Sequence, residues 1–260
     1  TAGACYVSAT LEAGAADGSF PRGTVGVIND SDIDVAADGR FECVVGGPSS
    51  GRNRLAMAPD ATRITTRPDW AELDSPHRPP RPDPALEIDL IDGDVPAGPR
   101  TPDDASVAAS IRRVSRDVRS RTIETIMRPG EGEPPPFVSR EPHEFPPPVP
   151  PGAHALAAAD AAYSMAPFVL GPGEALVLRG RWPRCRCANV SLWNRQMQSF
   201  DYLRYRTSLN RAQTELAEDG SFRIVLADGD PGVANHLDTE GRAFGLVFWR
   251  FMLPEGEIET

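Results

Sequence analysis

The 260-residue chain contains no lysine, and all 27 of its basic residues are arginines. This absence excludes a Schiff-base lysine, a lysine general base and the lysine of a phosphate-binding loop. Acidic residues outnumber the arginines, and the formal net charge is −10 at pH 7. Nucleic acids and anionic membranes bind clustered positive charge, so neither is an expected partner. No apolar run approaches the roughly 18 residues of a membrane-spanning helix.

Recognisable metal and catalytic motifs are also missing. The four cysteines, Cys5, Cys43, Cys185 and Cys187, form no CxxC pair, so we expect buried or half-buried thiols, with a disulfide as the less favoured alternative. In a strand, Cys185 and Cys187 would lie on the same face. The GxSxG, HExxH, phosphate-loop and dinucleotide-binding patterns are absent. The sequence therefore predicts no cofactor and no metal and, without a signal-like start, a cytoplasmic location.

Prolines and glycines divide the chain into three zones, which we expect to build one compact domain. Residues 1–67 hold short apolar runs between turn signals, which is typical of antiparallel strands. Residues 68–166 are predicted to form a proline-rich and helical crossover with one strand over 85–91. Its helices are predicted after the capping sequence Thr101 to Asp104 and over 154–165. Residues 167–260 return to strand-like patterns and form a second β-unit.

Residues 129–151 contain ten prolines among 23 residues. Such a segment cannot form a helix or a central strand and should run extended over the surface. It could be a packed or flexible connector between the β-units. It could also contact a partner subunit or a second copy of the chain.

The strongest architectural signal is a pattern that occurs twice. In each copy an asparagine, the glycine of an Asp-Gly-x-Phe turn, a second asparagine and a closing arginine follow one another. The two sets are Asn29, Gly39, Asn53 and Arg67, and Asn210, Gly220, Asn235 and Arg250. Because these residues recur in the same order and at nearly the same spacing, the sequence predicts two related β-units. The predicted fold class is mainly β, with two similar antiparallel β-units forming a sandwich or jelly-roll-like body and a helical and proline-rich insertion.

The last third of the chain carries more specific motifs. They are Leu170-Gly171-Pro172-Gly173-Glu174, Trp182-Pro183, Asp219-Gly220-Ser221-Phe222, Asp230-Pro231-Gly232, Asn235-His236-Leu237-Asp238-Thr239 and Trp249-Arg250. From Tyr163 to Glu257 the chain resembles the domain-of-unknown-function family 1214, which is common in actinobacteria and often occurs beside family 1254. His236 departs from the family's pattern, since a tryptophan is expected there. The resemblance implies a β-sandwich and no established activity.

The loop from Asp228 to Asp238 concentrates polar groups that could carry chemistry. Asp230 or Asp238 could orient His236 as a general base, which makes these three the candidate catalytic residues. Asn235 and the carboxylates could instead bind a cation such as calcium through oxygen. In a purely structural alternative, both acids accept backbone hydrogen bonds and Asn235 adopts a left-handed conformation.

Candidate binding residues flank this loop in the sequence. Arg250 lies in a strand too apolar to be exposed, so we expect an ion pair with Asp201 or Asp238, as a structural pair or as a substrate clamp. The aromatic side chains nearby could line a pocket for a sugar or an apolar ligand, or belong to the core. The predicted binding residues are Asn235, Arg250, Tyr202, Tyr205, Trp193, Asp201 and Arg242.

Three functions remain open at this point. The sequence favours a small-molecule-binding protein or accessory enzyme that acts on an apolar or carbohydrate-like compound. A structural or assembly module without catalytic activity is the alternative, and an oxygen-ligated metal-binding protein is a weaker one. For the first hypothesis we expect one concave pocket that contains His236, Asp238 and either Tyr202 or Tyr205.

Overall fold

The first segment of the chain folds into a small antiparallel sheet. The computed structural model describes residues 4–14, 17, 19, 21–47, 51–70, 86–93, 101–124, 134–150 and 157–258. The strands of this segment are β1 (Tyr6–Ala13), β2 (Gly23–Asn29), β3 (Val44–Val45), β4 (Arg54–Leu55) and β5 (Ala61–Asp69). The sheet has the order β2-β1-β5, and β3 pairs with β4 in parallel. A small core of Leu11, Ile28, Ile33 and Leu55 supports it.

One α-helix, α1 (Asp104–Arg119), occupies the predicted position and runs into a π-helical turn (Ser120–Glu124). Its cap is Asp103 and not Thr101, because the Asp103 carboxylate accepts the Ser106 N–H at 2.8 Å. The large apolar side chains of the helix share one stripe and are exposed. They are Val107, Ile111, Val114 and Val118. In the described part of the chain, no helix has the length and apolar character needed to cross a membrane.

The second segment contributes seven strands. They are β6 (Ala161–Val169), β7 (Leu176–Gly180), β8 (Cys185–Trp193), β9 (Ser208–Asn210), β10 (Phe222–Ala227), β11 (His236–Asp238) and β12 (Phe244–Pro254). A 3-10 turn (Arg211–Gln213) follows β9. The sheet β6-β12-β8-β9 is antiparallel, whereas in β7-β10-β11 the strand β10 pairs in parallel with β11. The predicted mainly β class is confirmed.

The two sheets of the second segment pack face to face and form the main core. Fully buried side chains from both sheets meet there, including Phe168, Val190, Leu192, Ile224, Leu226, Leu237 and Val247. Burial of each such side chain contributes roughly 1.5–3 kcal/mol. This core holds the four-stranded sheet in place, and the opposite face of that sheet points away from the core.

That other face is covered by Tyr6 and by the described part of the proline-rich segment. The Met165 N–H donates to the Phe137 carbonyl at 2.7 Å, and the Ser139 N–H donates to the Met165 carbonyl at 2.8 Å. Val149 pairs with Tyr163 in the same way further along β6. Residues 134–150 therefore lie along β6 as a packed connector, as one of the two alternatives predicted. Contact with a partner subunit stays a prediction.

Two predicted elements of the crossover differ in the structure. Residues 161–165, which the sequence assigns to a helix, belong to β6, and residues 154–156 lie outside the described residues. Each residue from Ala161 to Phe168 is buried, and burial between β12 and the connector overrides the helix propensity of alanine. Residues 86–91 form no strand, because no described segment pairs with them and Ile88 is 93% exposed. Residue 85 lies outside the described part.

The first and second segments share strand order and register. In the first, Ser8 of β1 faces Asn29 of β2 on one side and Arg67 of β5 on the other. In the second, Asn189 of β8 faces Asn210 of β9 and Arg250 of β12. The orders β2-β1-β5 and β9-β8-β12 thus match position by position. The asparagines and arginines of the pattern that occurs twice in the sequence occupy matching positions in these sheets.

A second match involves the asparagines Asn53 and Asn235, which precede β4 and β11. The Asn53 amide donates to the carbonyls of Asp34 and Glu42, and its oxygen accepts the Asp34 N–H at 2.6 Å. Asn235 makes the same three bonds. Its partners are the N–H and carbonyl of Glu215, at 2.8 Å each, and the carbonyl of Arg223, at 3.1 Å. Each asparagine therefore satisfies three backbone groups that would otherwise lack partners.

A disulfide between Cys5 and Cys187 joins the two segments. The prediction of thiols is therefore wrong for these two cysteines, while Cys43 and Cys185 are free. Cys185 packs into the core of the sandwich and Cys187 packs on the opposite face, so the prediction that they share a face is also wrong. Cys185 is the first residue of β8 and its Sγ donates to the Pro183 carbonyl, while the bond to Cys5 holds Cys187 on the opposite face.

Hydrogen bonds at Asp160 also join the segments. The buried Tyr6 hydroxyl lies 2.7 and 2.8 Å from the two Asp160 carboxylate oxygens, and the Asn29 amide donates to the same carboxylate at 2.7 Å. Burial, helped by the Asp160 charge, raises the pKa of Tyr6 far above its ordinary value of 10.0. The folded chain therefore holds this proton under conditions in which the unfolded chain releases it.

Replacing Tyr6 with phenylalanine should lower the free energy of unfolding by about 2 kcal/mol at pH 7, because a hydrogen bond to a carboxylate is lost. The raised pKa of Tyr6 stabilises the native fold fully below pH about 10, and that contribution is lost as the pH rises further. The gap between native and Y6F protein should therefore narrow above pH about 10 in urea denaturation. Tyr205→Phe, which changes an exposed ring, is the control. Stability curves that stay parallel across this pH range would contradict the argument.

Candidate functional site

A cleft of about 490 Å³ opens on the face of the four-stranded sheet that points away from the main core. Asn189, Ser191 and Trp193 alternate along β8 and line it, while the residues between them face the core. Thr207 and Ser208 line it from the β9 side. The size lies within the range of small-molecule pockets.

A tight turn after β8 forms one wall of the cleft. The Asn194 side-chain oxygen accepts the N–H groups of Gln196 and Gln198 at 2.9 and 3.0 Å. Met197 takes a left-handed conformation with φ 58°. This turn places Met197, Gln198 and Ser199 beside Trp193, and Tyr202 completes the wall. Met197 and Tyr202 are 47% and 53% exposed, so the entrance is apolar and open to a ligand.

Arg250 lies at the charged end of the cleft. Its guanidinium is 3.8 Å from the Asp69 carboxylate and 5.5 Å from the Phe248 ring centroid. No hydrogen bond joins its side chain to another described residue, so donors of the guanidinium remain for a ligand. The predicted partners of Arg250 were Asp201 and Asp238, and the ion pair with Asp69 corrects this. Asp238 lies in the other sheet, whereas β5 of the first segment brings Asp69 to this face.

Asp69 is half-buried, and the charges of two arginines affect the pKa of its carboxyl. Burial raises the pKa of its carboxyl, and the charges of Arg250 and Arg67 oppose this effect. One carboxylate oxygen of Asp69 is buried without a hydrogen-bond partner among the described residues. The described residues therefore leave the Asp69 carboxylate incompletely satisfied.

The three predicted catalytic residues do not reach this cleft. His236 lies in β11, and its Nδ1 is 3.9 Å from the Asp230 carboxylate, too long for a hydrogen bond. Asp230 accepts the Gly232 N–H and Asp238 accepts the Glu240 N–H. The two acids thus make the backbone hydrogen bonds of the structural alternative. The buried Nε2 of His236 has no partner in the described part of the chain.

Of the predicted binding residues, Trp193, Tyr202 and Arg250 come together in the cleft. Asp201 and Arg242 instead meet at Glu240, whose carboxylate accepts the Asp201 N–H and the Arg242 side chain. Tyr205 is exposed and is not a lining residue. Asn235 acts through the backbone bonds described above, and the left-handed asparagine is Asn53, with φ 59°. The single pocket predicted to unite His236, Asp238 and a tyrosine is therefore divided between two sheets.

Sequence reasoning missed most of the cleft lining, which comprises the polar residues Asn189, Ser191, Gln198, Ser199, Thr207 and Ser208 together with Met197. A signal was present, because polar residues alternate with Ala188, Val190 and Leu192 along β8. The pattern indicates a strand with one polar face. In the described ranges, no group of three or more histidine, cysteine, aspartate or glutamate side chains is placed to hold a metal ion.

The fold is similar to that of an uncharacterised protein from Burkholderia cenocepacia, whose crystal structure superposes with a TM-score of 0.70 at 23% sequence identity and covers 98% of this chain and 68% of that one. The crystal structure of the VPA0106 protein from Vibrio parahaemolyticus gives a TM-score of 0.40 at 10% identity and covers 98% of this chain and 84% of that one. No protein-family model and no curated protein matches the chain. The resemblance to family 1214 stays a prediction, and the Burkholderia structure supports the β-rich fold alone.

Proposed function

We propose that this chain is a small-molecule-binding protein or accessory enzyme that holds an apolar or carbohydrate-like compound in the cleft of Trp193, Tyr202 and Arg250. One observation carries the proposal: aromatic, amide, hydroxyl and guanidinium groups line a single cleft of about 490 Å³. Pockets for small ligands combine an apolar wall with a few polar groups that fix orientation. The lining residues favour binding and assign no reaction.

The two ends of the cleft suit different parts of one ligand. Trp193 packs on Phe248 with ring centroids 4.4 Å apart, so its ring is held in place and can stack on a flat apolar face. At the other end Asn189, Ser191 and Arg250 offer hydrogen-bond donors and acceptors. A compound with a ring face and hydroxyl groups satisfies both ends.

Phenyl β-D-glucoside, which has an aromatic ring and a sugar, is a suitable probe. We expect chemical-shift changes at the Trp193 indole N–H in titrations of the native protein, with a dissociation constant of about 1 mM. Tyr202→Ala should weaken binding about tenfold, because truncating an aromatic wall removes contact area. Tyr205→Ala is the matched control and should bind as the native protein does. The proposal fails if native protein does not bind the probe, or if both alanine variants lose the same affinity.

The structural or assembly module remains a second candidate, because the apolar stripe of α1 is exposed along its length. Unpartnered stripes of this kind often contact another chain. A monomer in light scattering coupled to size exclusion would remove this candidate, and a dimer or larger assembly would support it. The oxygen-ligated metal alternative gains no support from the described residues.

The cytoplasmic location predicted from the sequence stays a prediction. The Cys5–Cys187 disulfide weighs against it, because disulfides are rare in the reducing cytosol and persist in oxidising compartments.

A further inference from the structure

A second cleft, of about 400 Å³, lies on the outer face of the sheet β7-β10-β11, in a different sheet from the site proposed above. Its floor includes Arg179 of β7 with Arg223 and Val225 of β10. Its walls are residues 215–217 and 233–235. Asn235 joins floor to wall, since its amide donates to the carbonyls of Glu215 and Arg223. We call the three hydrogen bonds made by Asn235, and the same three made by Asn53, the asparagine frame. In this cleft the frame holds the wall against the floor.

The two arginines of this cleft are direct cross-strand neighbours. Arg223 faces Arg179 in the antiparallel pairing of β10 with β7. Neither guanidinium makes a hydrogen bond or an ion pair with any residue that the structure describes. Like charges directly opposite each other on neighbouring strands are destabilising. Two unneutralised cations side by side in a cleft are the arrangement that an anionic ligand would stabilise.

The rest of the lining restricts the kind of anion. Glu215 is the one carboxylate among the lining residues, so the two guanidinium groups leave a single net positive charge. That charge matches one carboxylate better than a multiply charged anion. Leu216 and Val233 are 51% and 40% exposed at the opening. They offer an apolar surface next to the cations.

The equivalent place in the first segment is built differently. Asn53 holds the backbone there with the same three hydrogen bonds, but Glu42 stands at the position of Arg223. The frame therefore does not require an arginine. The arginine of the second segment is therefore not explained by the hydrogen bonds that both asparagines make.

We propose that the cleft of Arg179 and Arg223 binds a small organic monocarboxylate that carries an apolar ring or chain. The paired guanidinium groups take the carboxylate through charge-assisted hydrogen bonds, which suit the planar fork of arginine. Leu216 and Val233 contact the apolar part. The site is separate from the cleft of Trp193 and Arg250 and does not depend on the function proposed for it.

Isothermal titration calorimetry with 3-phenylpropionate tests this proposal. In low-salt buffer the native protein should bind with a dissociation constant of about 1 mM. The neutral amide 3-phenylpropionamide should bind at least about tenfold more weakly, because it lacks the charge. Inorganic phosphate should bind at least about tenfold more weakly as well, because it lacks the apolar part that Leu216 and Val233 contact. The double variant Arg179→Gln with Arg223→Gln should also lose at least about tenfold in affinity. Arg63→Gln, at an exposed arginine of β5, is the matched control and should bind normally.

Thermal melting separates a binding role from a structural one. Without ligand, the double variant should melt no lower than the native protein, because a repulsive pair has been removed. Absence of native binding, equal binding by acid and amide, or unchanged affinity in the double variant each overturns the proposal. A loss of 3-phenylpropionate binding in Tyr202→Ala or Arg250→Gln with normal binding in the double variant also overturns it and assigns the ligand to the other cleft.

Discussion

Cys187→Ser should lower the free energy of unfolding by about 2–5 kcal/mol, the usual cost of losing a native disulfide. The bond joins residues 182 positions apart, so it closes a long loop in the unfolded chain and removes much of that chain's conformational freedom. It also ties β1 to β8 beside the buried Tyr6. Urea denaturation of native and variant protein under non-reducing conditions measures the difference.

The pairing of Cys5 with Cys187 also predicts how the other cysteine variants behave. Cys5→Ser should match Cys187→Ser, and the double variant should be no less stable than either, because one bond is lost in every case. Cys43→Ser is the control, since Cys43 is a free thiol. Reductant should destabilise native protein and leave Cys187→Ser unchanged. Additive effects of the two single substitutions, or alkylation of all four cysteines in unreduced, denatured native protein, would contradict the disulfide.

The elements with strong local signals were predictable from the sequence. The Asp-Gly turns at Gly39 and Gly220 lie where the pattern places them, and both glycines have positive φ, 83° and 79°. The helix begins within the predicted capping sequence Thr101 to Asp104, where Asp103 supplies the side-chain acceptor within its own turn. Such signals depend on neighbours within a few residues, so a sequence contains all the information they require.

The conformation of the alanine-rich strand β6 could not be predicted from local sequence alone. Alanine at 161, 162 and 166 favours a helix in isolation. In the folded chain β12 lies on one side of these residues and the proline-rich connector on the other. Both neighbours lie outside the few residues over which helix propensity acts. Their backbone groups pair with β6, and this pairing outweighs a propensity of a few tenths of a kcal/mol per residue, about 0.7 at most.

Part of the cleft can be predicted from local sequence, and part depends on remote segments of the chain. The alternation of Asn189, Ser191 and Trp193 is visible in the sequence, but which part of that face stays open depends on where the first segment lies. Asp69 reaches Arg250 because β5 ends beside the sheet of the second segment. No spacing rule connects positions so far apart. The sequence favours the acidic loop at Asp230 as a site because its side chains could carry chemistry. In the structure, Asp230 and Asp238 accept backbone hydrogen bonds within turns.

Replacing Asn235 with alanine should lower the free energy of unfolding by about 3 kcal/mol, because two carbonyls and one N–H lose their partners at once. Asn235 is 7% exposed, so water replaces those bonds poorly. Its loss should also loosen the wall at Glu215 from Arg223, and 3-phenylpropionate should bind more weakly. Urea denaturation and calorimetry on the same preparation measure both effects.

The first segment supplies the matched comparison. Asn53 makes the same three bonds in a more exposed place, so water can replace part of what Asn53→Ala removes. Its φ of 59° adds a different cost, because a left-handed alanine is disfavoured by about 1–2 kcal/mol. Asn53→Gly should therefore be less destabilised than Asn53→Ala, whereas Asn235→Gly should gain nothing over Asn235→Ala. If glycine rescues both positions alike, backbone conformation and not hydrogen bonding sets the role of Asn235, and the shared frame loses its physical basis.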